Sequence, residues 1–165
     1  GVHRGVLKKG KGDDRNNFID KLIDSTKNVK FDIYGINNNQ PVWADHYFKV
    51  IQNAKMGLNL SRGEPIKYYS SDRITQIIGN GLVTLINEKT NYNDFFSNKE
   101  MVFYKNISDL SEKIIRIAND DKLRKQIGRN GRLRYLKHFN SKLVAQYIIE
   151  KSCNIKTKNK YLWEN

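Results

Sequence analysis

The residues best suited to chemistry lie where a short polar loop leads into a predicted helix. Ser71 and Asp72 suit the N-cap of that helix, as does Ser70, because their side-chain oxygens can accept hydrogen bonds from the first helical N–H groups. Arg73 and Gln76 are three residues apart and share a helix face, and Asp72 is a neighbour of Gln76 one turn away. This arrangement places a guanidinium, an amide and N–H donors around the start of one helix. The guanidinium and the N–H donors suit a diphosphate, and the polar side chains suit the hydroxyls of a ribose. The alternative is a capped helix with a surface arginine, and the segment alone slightly favours that simpler interpretation.

A basic loop near the start of the chain is a second candidate anion site. It reads KKGKGDDR over residues 8–15, and its two glycines would let the backbone approach a ligand closely. Lys8, Lys11 and Arg15 would surround the start of the first predicted helix. Equally, the loop could be a solvated basic turn in which one aspartate caps the helix. Arg62, after the third predicted strand, is a further candidate cation for phosphate.

These segments are positioned by an alternation of predicted strands and helices. Short apolar runs recur at a spacing of roughly 26 residues, which is typical of βαβ units in a parallel sheet. The runs lie at residues 5–7, 29–34, 56–60, 82–86 and 101–104. Helical patterns lie between them at 14–26, 43–54 and 72–80, where Gly81 favours a helix end, and from 108 almost to the C-terminus. We therefore expect an α/β fold: a Rossmann-like parallel sheet with helices on both faces and a helical C-terminus. Ligands of such sheets bind beyond the carboxyl ends of the strands.

Composition limits the classes of protein that the chain can belong to. Its 165 residues suit one domain. Its formal net charge of +13 favours phosphate-bearing partners such as nucleotides, nucleic acid or anionic lipid. Alternatively, an AT-rich coding bias would give the same excess of lysine. One cysteine and three scattered histidines predict no metal site. No apolar run is long enough to span a membrane, and the start of the chain looks like the middle of a domain, so a longer parent chain is plausible.

An ordered set of motifs over more than half of the chain resembles the C-terminal domain of GT-B glycosyltransferases. The resemblance is to proteins similar to the spore-maturation CgeB proteins and, more distantly, to glycosyltransferase family 4. It rests on SDRITQIIGNG at residues 71–81, the apolar strand LVTLI that follows, the aromatic stretch YNDFF at 92–96, SDLSEKI at 108–114, RKQIGRNGR at 124–132 and HFNSK at 138–142.

The resemblance implies a donor domain that binds a nucleotide-diphosphate sugar. It implies residues 1–151 as a Rossmann-like domain, a polar tail over 152–165, and an N-terminal acceptor domain that is absent from this chain, which would then be inactive alone. No cofactor and no essential metal are expected. The expected donor-binding residues are Arg73, Gln76, Asp72, Ser71, Arg15, Arg62, Lys8 and Lys11. The resemblance also implies a cytoplasmic protein, with peripheral contact to an anionic inner membrane face as a further expectation.

One departure from the family pattern bears on activity. The family has a glutamate for the donor ribose where this chain has Gln76, and Tyr68 stands eight residues earlier, where family 4 has another glutamate. A glutamine can hydrogen-bond a hydroxyl but supplies no negative charge. A degenerate, non-catalytic glycosyltransferase-like module is therefore one alternative, and a basic nucleic-acid-binding domain is another. A dehydrogenase or P-loop enzyme is disfavoured, because neither glycine-rich phosphate motif is present.

Overall fold

The sheet has three parallel strands, in the order β1-β2-β3. The computed structural model describes residues 14–35, 39–69, 71–156 and 159–164. Along the chain the elements are α1 (Asp14–Ser25), α2 (Ala44–Asn53), β1 (Met56–Asn59), α3 (Arg73–Gly79), β2 (Val83–Asn87), β3 (Val102–Tyr104), α4 (Ile107–Ala118), α5 (Asp121–His138) and α6 (Ser141–Ser152). Two 3₁₀ turns, Glu88–Thr90 and Tyr92–Asp94, connect β2 to β3. Leu85 of β2 pairs with Leu58 of β1 and with Val102 of β3.

Apolar side chains cover both faces of the sheet, as the alternation of a strand requires. On one face Leu85 and Val102 pack with Leu22 of α1 and Leu110 of α4. On the other face Ile86 and its neighbours pack against helix α3 and an aromatic cluster that includes Phe95, Phe96 and Phe103. This arrangement confirms the predicted α/β fold, with helices on both faces of a parallel sheet.

The predicted helices and three of the five predicted strands are found within a few residues of their expected bounds. Helix α3 ends before Gly81, whose φ of 76° is the left-handed conformation expected just beyond a helix end. The prediction of a strand at residues 29–34 is wrong for the described part of the chain, since that segment lies outside the sheet. Its apolar residues Val29 and Phe31 instead pack against the core beside Leu22. The run at 5–7 lies outside the described residues.

The C-terminal segment folds back onto the domain. Tyr161 is buried, its hydroxyl donates to Glu150 Oε2 at 2.8 Å, and its ring lies 4.9 Å from that of Tyr147. Trp163 packs on Phe139 in the aromatic cluster. At the end of an otherwise polar tail, the packed structure therefore includes Tyr161, Leu162 and Trp163.

Within the described residues, no helix combines the length and the apolar composition needed to cross a membrane.

Candidate functional site

The carboxyl edge of the sheet carries the candidate site. Strand β1 ends at Asn59, and the chain then runs through Leu60 and an eleven-residue polar stretch, 61–71, before Asp72 and helix α3. In an open parallel sheet this edge is where ligands bind, because the loops that follow the strands converge there.

Arg73 is held at this edge by the end of β1. It is the first residue of α3, and its Nη1 donates to the carbonyl oxygen of Leu60 at 3.1 Å. Burial lowers the pKa of Arg73 from its ordinary value, and the positive charge of Arg15 lowers it further. Asp72, Tyr47 and Tyr69 act in the opposite direction. The guanidinium is therefore partly removed from water and lies within the influence of a second cation.

Arg15 reaches the same place from helix α1. It lies in the first turn of that helix and is only 8% exposed, which is rare for an arginine side chain. Its positive charge acts on Arg73, whose pKa it lowers, although the two residues are far apart in the sequence. Of the predicted anion-binding residues, Arg15 and Arg73 are thus near enough for the charge of one to affect the other, and both charges would favour an anion at this edge.

Ser71 and Asp72 do not cap helix α3, contrary to the prediction. The Ser71 hydroxyl lies 3.2 Å from Asn59 Oδ1, where it donates a hydrogen bond, so it is directed at the strand. Asp72 occupies the N-cap position in a helical backbone conformation, from which its side chain accepts no helical N–H. Instead its carbonyl oxygen accepts from the Thr75 hydroxyl at 2.7 Å. Asp72 is exposed, so its carboxylate faces solvent at the rim of the site.

Buried polar atoms without a hydrogen-bond partner accompany both arginines. Asn59 Nδ2, at the end of β1, is one, and Asn16 Oδ1, directly after Arg15, is another. Leaving a polar group buried and unpaired costs about 1–3 kcal/mol. Asn59, at the carboxyl end of β1, therefore carries an unused donor that a ligand at this edge would satisfy.

The remaining predicted residues are placed less closely around the arginine pair. Gln76 lies one turn after Arg73, is half-buried, and accepts through its backbone carbonyl from Asn80 Nδ2 at 2.7 Å. Arg62 is exposed in the loop after β1 and is not among the charged groups that shift the pKa of Arg73. Lys8 and Lys11 lie outside the described residues.

Two site residues were missed by the sequence reasoning. Tyr47 of α2 lies close enough to Arg73 for each side chain to affect the pKa of the other, although burial is the main cause that raises the pKa of Tyr47. Asn59 was predicted only as part of a strand. As the last residue of β1 it occupies the position from which parallel strands present ligand-binding side chains, so its place in the sequence was a usable signal.

Tyr68 anchors the loop that precedes Arg73. Its φ of 58° is unusual for a bulky residue, and the conformation is held by its N–H, which donates to the Thr90 carbonyl at 2.8 Å. Its hydroxyl donates to Asp94 Oδ2 at 2.6 Å, a hydrogen bond that raises the pKa of Tyr68, and its ring lies 4.9 Å from that of Phe95. The loop is thereby tied to the turn after β2.

Among the residues that the structure describes, no three His, Cys, Asp or Glu side chains gather as metal ligands do.

Comparison with known proteins identifies the family. The family model described as glycosyl transferase-like matches residues 15–150, most of the chain, beginning at Arg15 and including Arg73. No curated protein and no solved structure matches the chain significantly. The match covers the sheet, the helices on both of its faces and nearly all of helix α6. The chain therefore belongs to the glycosyl transferase-like family.

Proposed function

We propose that this chain is the donor-binding domain of a glycosyltransferase and that it binds a nucleotide-diphosphate sugar at the carboxyl edge of β1. The observation that carries the proposal is that Arg73 is fixed at the carboxyl edge of β1 by its bond to the Leu60 carbonyl, while the charge of the buried Arg15 also acts on it. A site where the charges of two partly desolvated arginines act is suited to a ligand with two or more negative charges.

In this proposal, Arg15 and Arg73 bind the diphosphate of the donor. Arginine is suited to this because its planar group donates up to five hydrogen bonds and stays charged even when its pKa is lowered. The bond to Leu60 uses one Nη1 donor of Arg73 and fixes the direction of the guanidinium. Fixed donors stabilise charge without having to reorganise during the reaction.

The proposed reaction replaces one bond at the anomeric carbon of the sugar by another. The bond to the diphosphate oxygen breaks and its electron pair stays on the nucleoside diphosphate, while a new bond forms to the acceptor oxygen. The acceptor proton goes to a base that we place outside this chain, in an acceptor domain. Negative charge grows on the departing diphosphate, and that is the charge which Arg15 and Arg73 would stabilise.

Gln76 and Asp72 are proposed to bind hydroxyl groups of the donor. Both lie on or beside α3 near Arg73, and an amide can donate to one hydroxyl and accept from another. Tyr47, which borders Arg73 from helix α2, adds an aromatic face to the same edge.

A thermal-shift screen with UDP, GDP, ADP, CMP and TDP tests the proposal. One of the diphosphates should raise the midpoint of unfolding by about 5 °C when present at about 100-fold its Kd. Arg73→Ala should abolish the shift, whereas Arg116→Ala, which removes an exposed arginine of helix α4, should retain it. Failure of every nucleotide to shift the midpoint, combined with salt-sensitive binding to RNA or DNA, would reject the donor site in favour of a nucleic-acid-binding domain.

A further inference from the structure

A pocket lies at the opposite edge of the sheet from Arg73. It has a volume of about 300 Å³. Its lining includes Lys55, directly before β1, Leu82, directly before β2, and residues in the first turns of helix α5. Because the strands are parallel, these amino ends lie at the edge away from Asn59 and Arg73. The pocket is therefore separate from the proposed donor site.

The lining of this pocket is basic. Lys55, Arg124 and Lys125 are among the lining residues, and none of the described lining residues is a carboxylate. Beside the pocket, Asp121 pairs with Arg124, and Lys55 and Lys125 also help to lower the pKa of Asp121, for which the hydrogen bond from Arg124 is the main cause. The charges of three cations thus act on one carboxylate, which leaves an excess of positive charge.

Arg124 forms the rigid wall of the pocket. Its side chain is only 8% exposed and is fixed by its bond to Asp121 one turn earlier on the helix. Lys55 and Lys125 are exposed, so their ammonium groups can move towards a ligand. A fixed guanidinium flanked by two adaptable ammonium groups is suited to a compact dianion.

Amide side chains complete the lining. Gln52 and Asn80 both border the pocket, and the Asn80 amide is held in place by its 2.7 Å bond to the Gln76 carbonyl. The volume is at the lower end of that of small-molecule sites and exceeds the size of a phosphate ion alone. Amides that can donate and accept would bind hydroxyl groups beside the phosphate.

We infer that the pocket formed by Lys55, Arg124, Lys125, Gln52 and Asn80 binds a small phosphate monoester of a polyhydroxylated compound. The phosphate lies against the three cations, and its hydroxyl-bearing part lies against the two amides. This site is independent of the proposed donor site, so the chain has two anion-binding regions at opposite edges of one sheet.

Residue-resolved NMR titration of the full chain tests this inference. Inorganic phosphate and glucose 6-phosphate are added at constant ionic strength, and amide shifts are followed at Asn80 and Gly81 for this pocket and at Asp72 and Arg73 for the other edge. We expect saturable shifts at Asn80 and Gly81, with glucose 6-phosphate binding more tightly than phosphate. Equal affinities for the two would contradict the role given to Gln52 and Asn80.

A charge-matched pair of variants separates a binding site from general basicity. Lys55→Gln with Lys125→Gln should weaken phosphate binding at least about tenfold, because it removes two charge-assisted contacts. Lys27→Gln with Lys142→Gln lowers the net charge equally, from +13 to +11, and should leave binding unchanged. If the two lysines only stabilise the carboxyl end of helix α3, the first pair will lower thermal stability and leave the shifts intact, which would overturn the inference. Arg73→Ala should leave the shifts at Asn80 and Gly81 intact, so failure at one edge is distinguishable from failure at the other.

Discussion

Arg73, the first residue of α3, donates from Nη1 to the carbonyl oxygen of Leu60, directly after β1, and its pKa is lowered by burial and by the charge of Arg15, which lies in the first turn of α1. The bond to Leu60 fixes Arg73 at the edge of the sheet where parallel α/β proteins bind ligands. The charge of Arg15, which also acts there, adds to the attraction of this edge for an anion.

The close approach of α5 to the rest of the domain depends on two glycines. A Cβ at Gly128 would lie 2.1 Å from the carbonyl oxygen of Gly81, and one at Gly131 would lie 2.3 Å from that of Glu100. Both obstacles are backbone atoms, so relief requires α5 to move. We expect Gly128→Ala to lower the free energy of unfolding by about 3 kcal/mol, as measured by urea denaturation.

Gly79 supplies the matched control for these glycines. It lies in helix α3, and a Cβ there would meet no atom within 4 Å. Gly79→Ala should therefore be neutral or stabilise the protein by about 0.5–1 kcal/mol, because alanine loses less backbone entropy on folding. Equal effects of Gly79→Ala and Gly128→Ala would show that α5 does not pack as described.

The fold was predictable from the sequence where a pattern is local. Helices α1, α2 and α3 follow from apolar spacing, and the strands β1, β2 and β3 follow from short apolar runs between turn residues. The segment at 29–34 looks the same in the sequence, because an apolar run indicates burial without showing whether a neighbouring strand is available for pairing.

The site was only partly predictable for the same physical reason. Arg15 and Arg73 were each candidates because they lie near predicted helix starts, but their mutual approach depends on how α1 packs relative to β1. The wrong caps at Ser71 and Asp72 have a specific origin. The capping propensity of a residue type shows only that its side chain can cap a helix. In the structure, the Ser71 hydroxyl donates to Asn59 instead, and the helical backbone of Asp72 directs its carboxylate outward.

Asp109 gives the protein an acid-sensitive contribution to stability. Burial acts to raise its pKa, but hydrogen bonds from Lys113 and from the backbone N–H of Lys105, at 2.8 and 2.9 Å, lower it below the ordinary value of 3.8. A carboxyl whose pKa is depressed on folding stabilises the protein above its unfolded pKa and loses that contribution as the pH falls through the folded value. Asp109→Asn should therefore destabilise at pH 6, and the difference from wild type should shrink below pH 4 in urea titrations. A difference that is constant with pH would contradict the assignment.

Docking of the C-terminal segment should be measurable through Tyr161. Tyr161→Phe keeps the ring contacts with Tyr147 and Trp163 but removes the hydrogen bond to Glu150, which leaves a buried carboxylate with one donor fewer. We expect a loss of about 1 kcal/mol in the free energy of unfolding. The control is Tyr34→Phe, which removes the hydroxyl of a half-buried tyrosine far from Tyr161 in the sequence. It should change the free energy of unfolding by less than about 0.5 kcal/mol. Identical stabilities of the two variants would mean that the segment is not held by Glu150.

The proposed role of Gln76 predicts discrimination between ribose and deoxyribose. A glutamate at this position accepts hydrogen bonds with both oxygens, so Gln76→Glu should increase the preference for a ribonucleoside diphosphate over its 2′-deoxy form by about 2–10-fold. Gln76→Ala should reduce that preference. The two ligands carry the same charge. Any new interaction of the introduced carboxylate with Arg73 therefore changes both affinities equally and cancels in their ratio. A ratio that does not change in either variant would place the ribose elsewhere.

We propose that Arg15 and Arg73 together bind the diphosphate of a nucleotide-sugar donor. The most direct measurement is calorimetric titration of the nucleoside diphosphate selected in the thermal screen into wild-type protein, Arg15→Gln, Arg73→Gln and the exposed-site control Arg116→Gln. We predict that each of the first two variants raises the Kd about tenfold or more, since each removes charge-assisted hydrogen bonds, and that the control leaves it unchanged. Wild-type affinity in both Arg15→Gln and Arg73→Gln would place the diphosphate elsewhere, because the ligand would then bind without the two residues on which the proposed site is built.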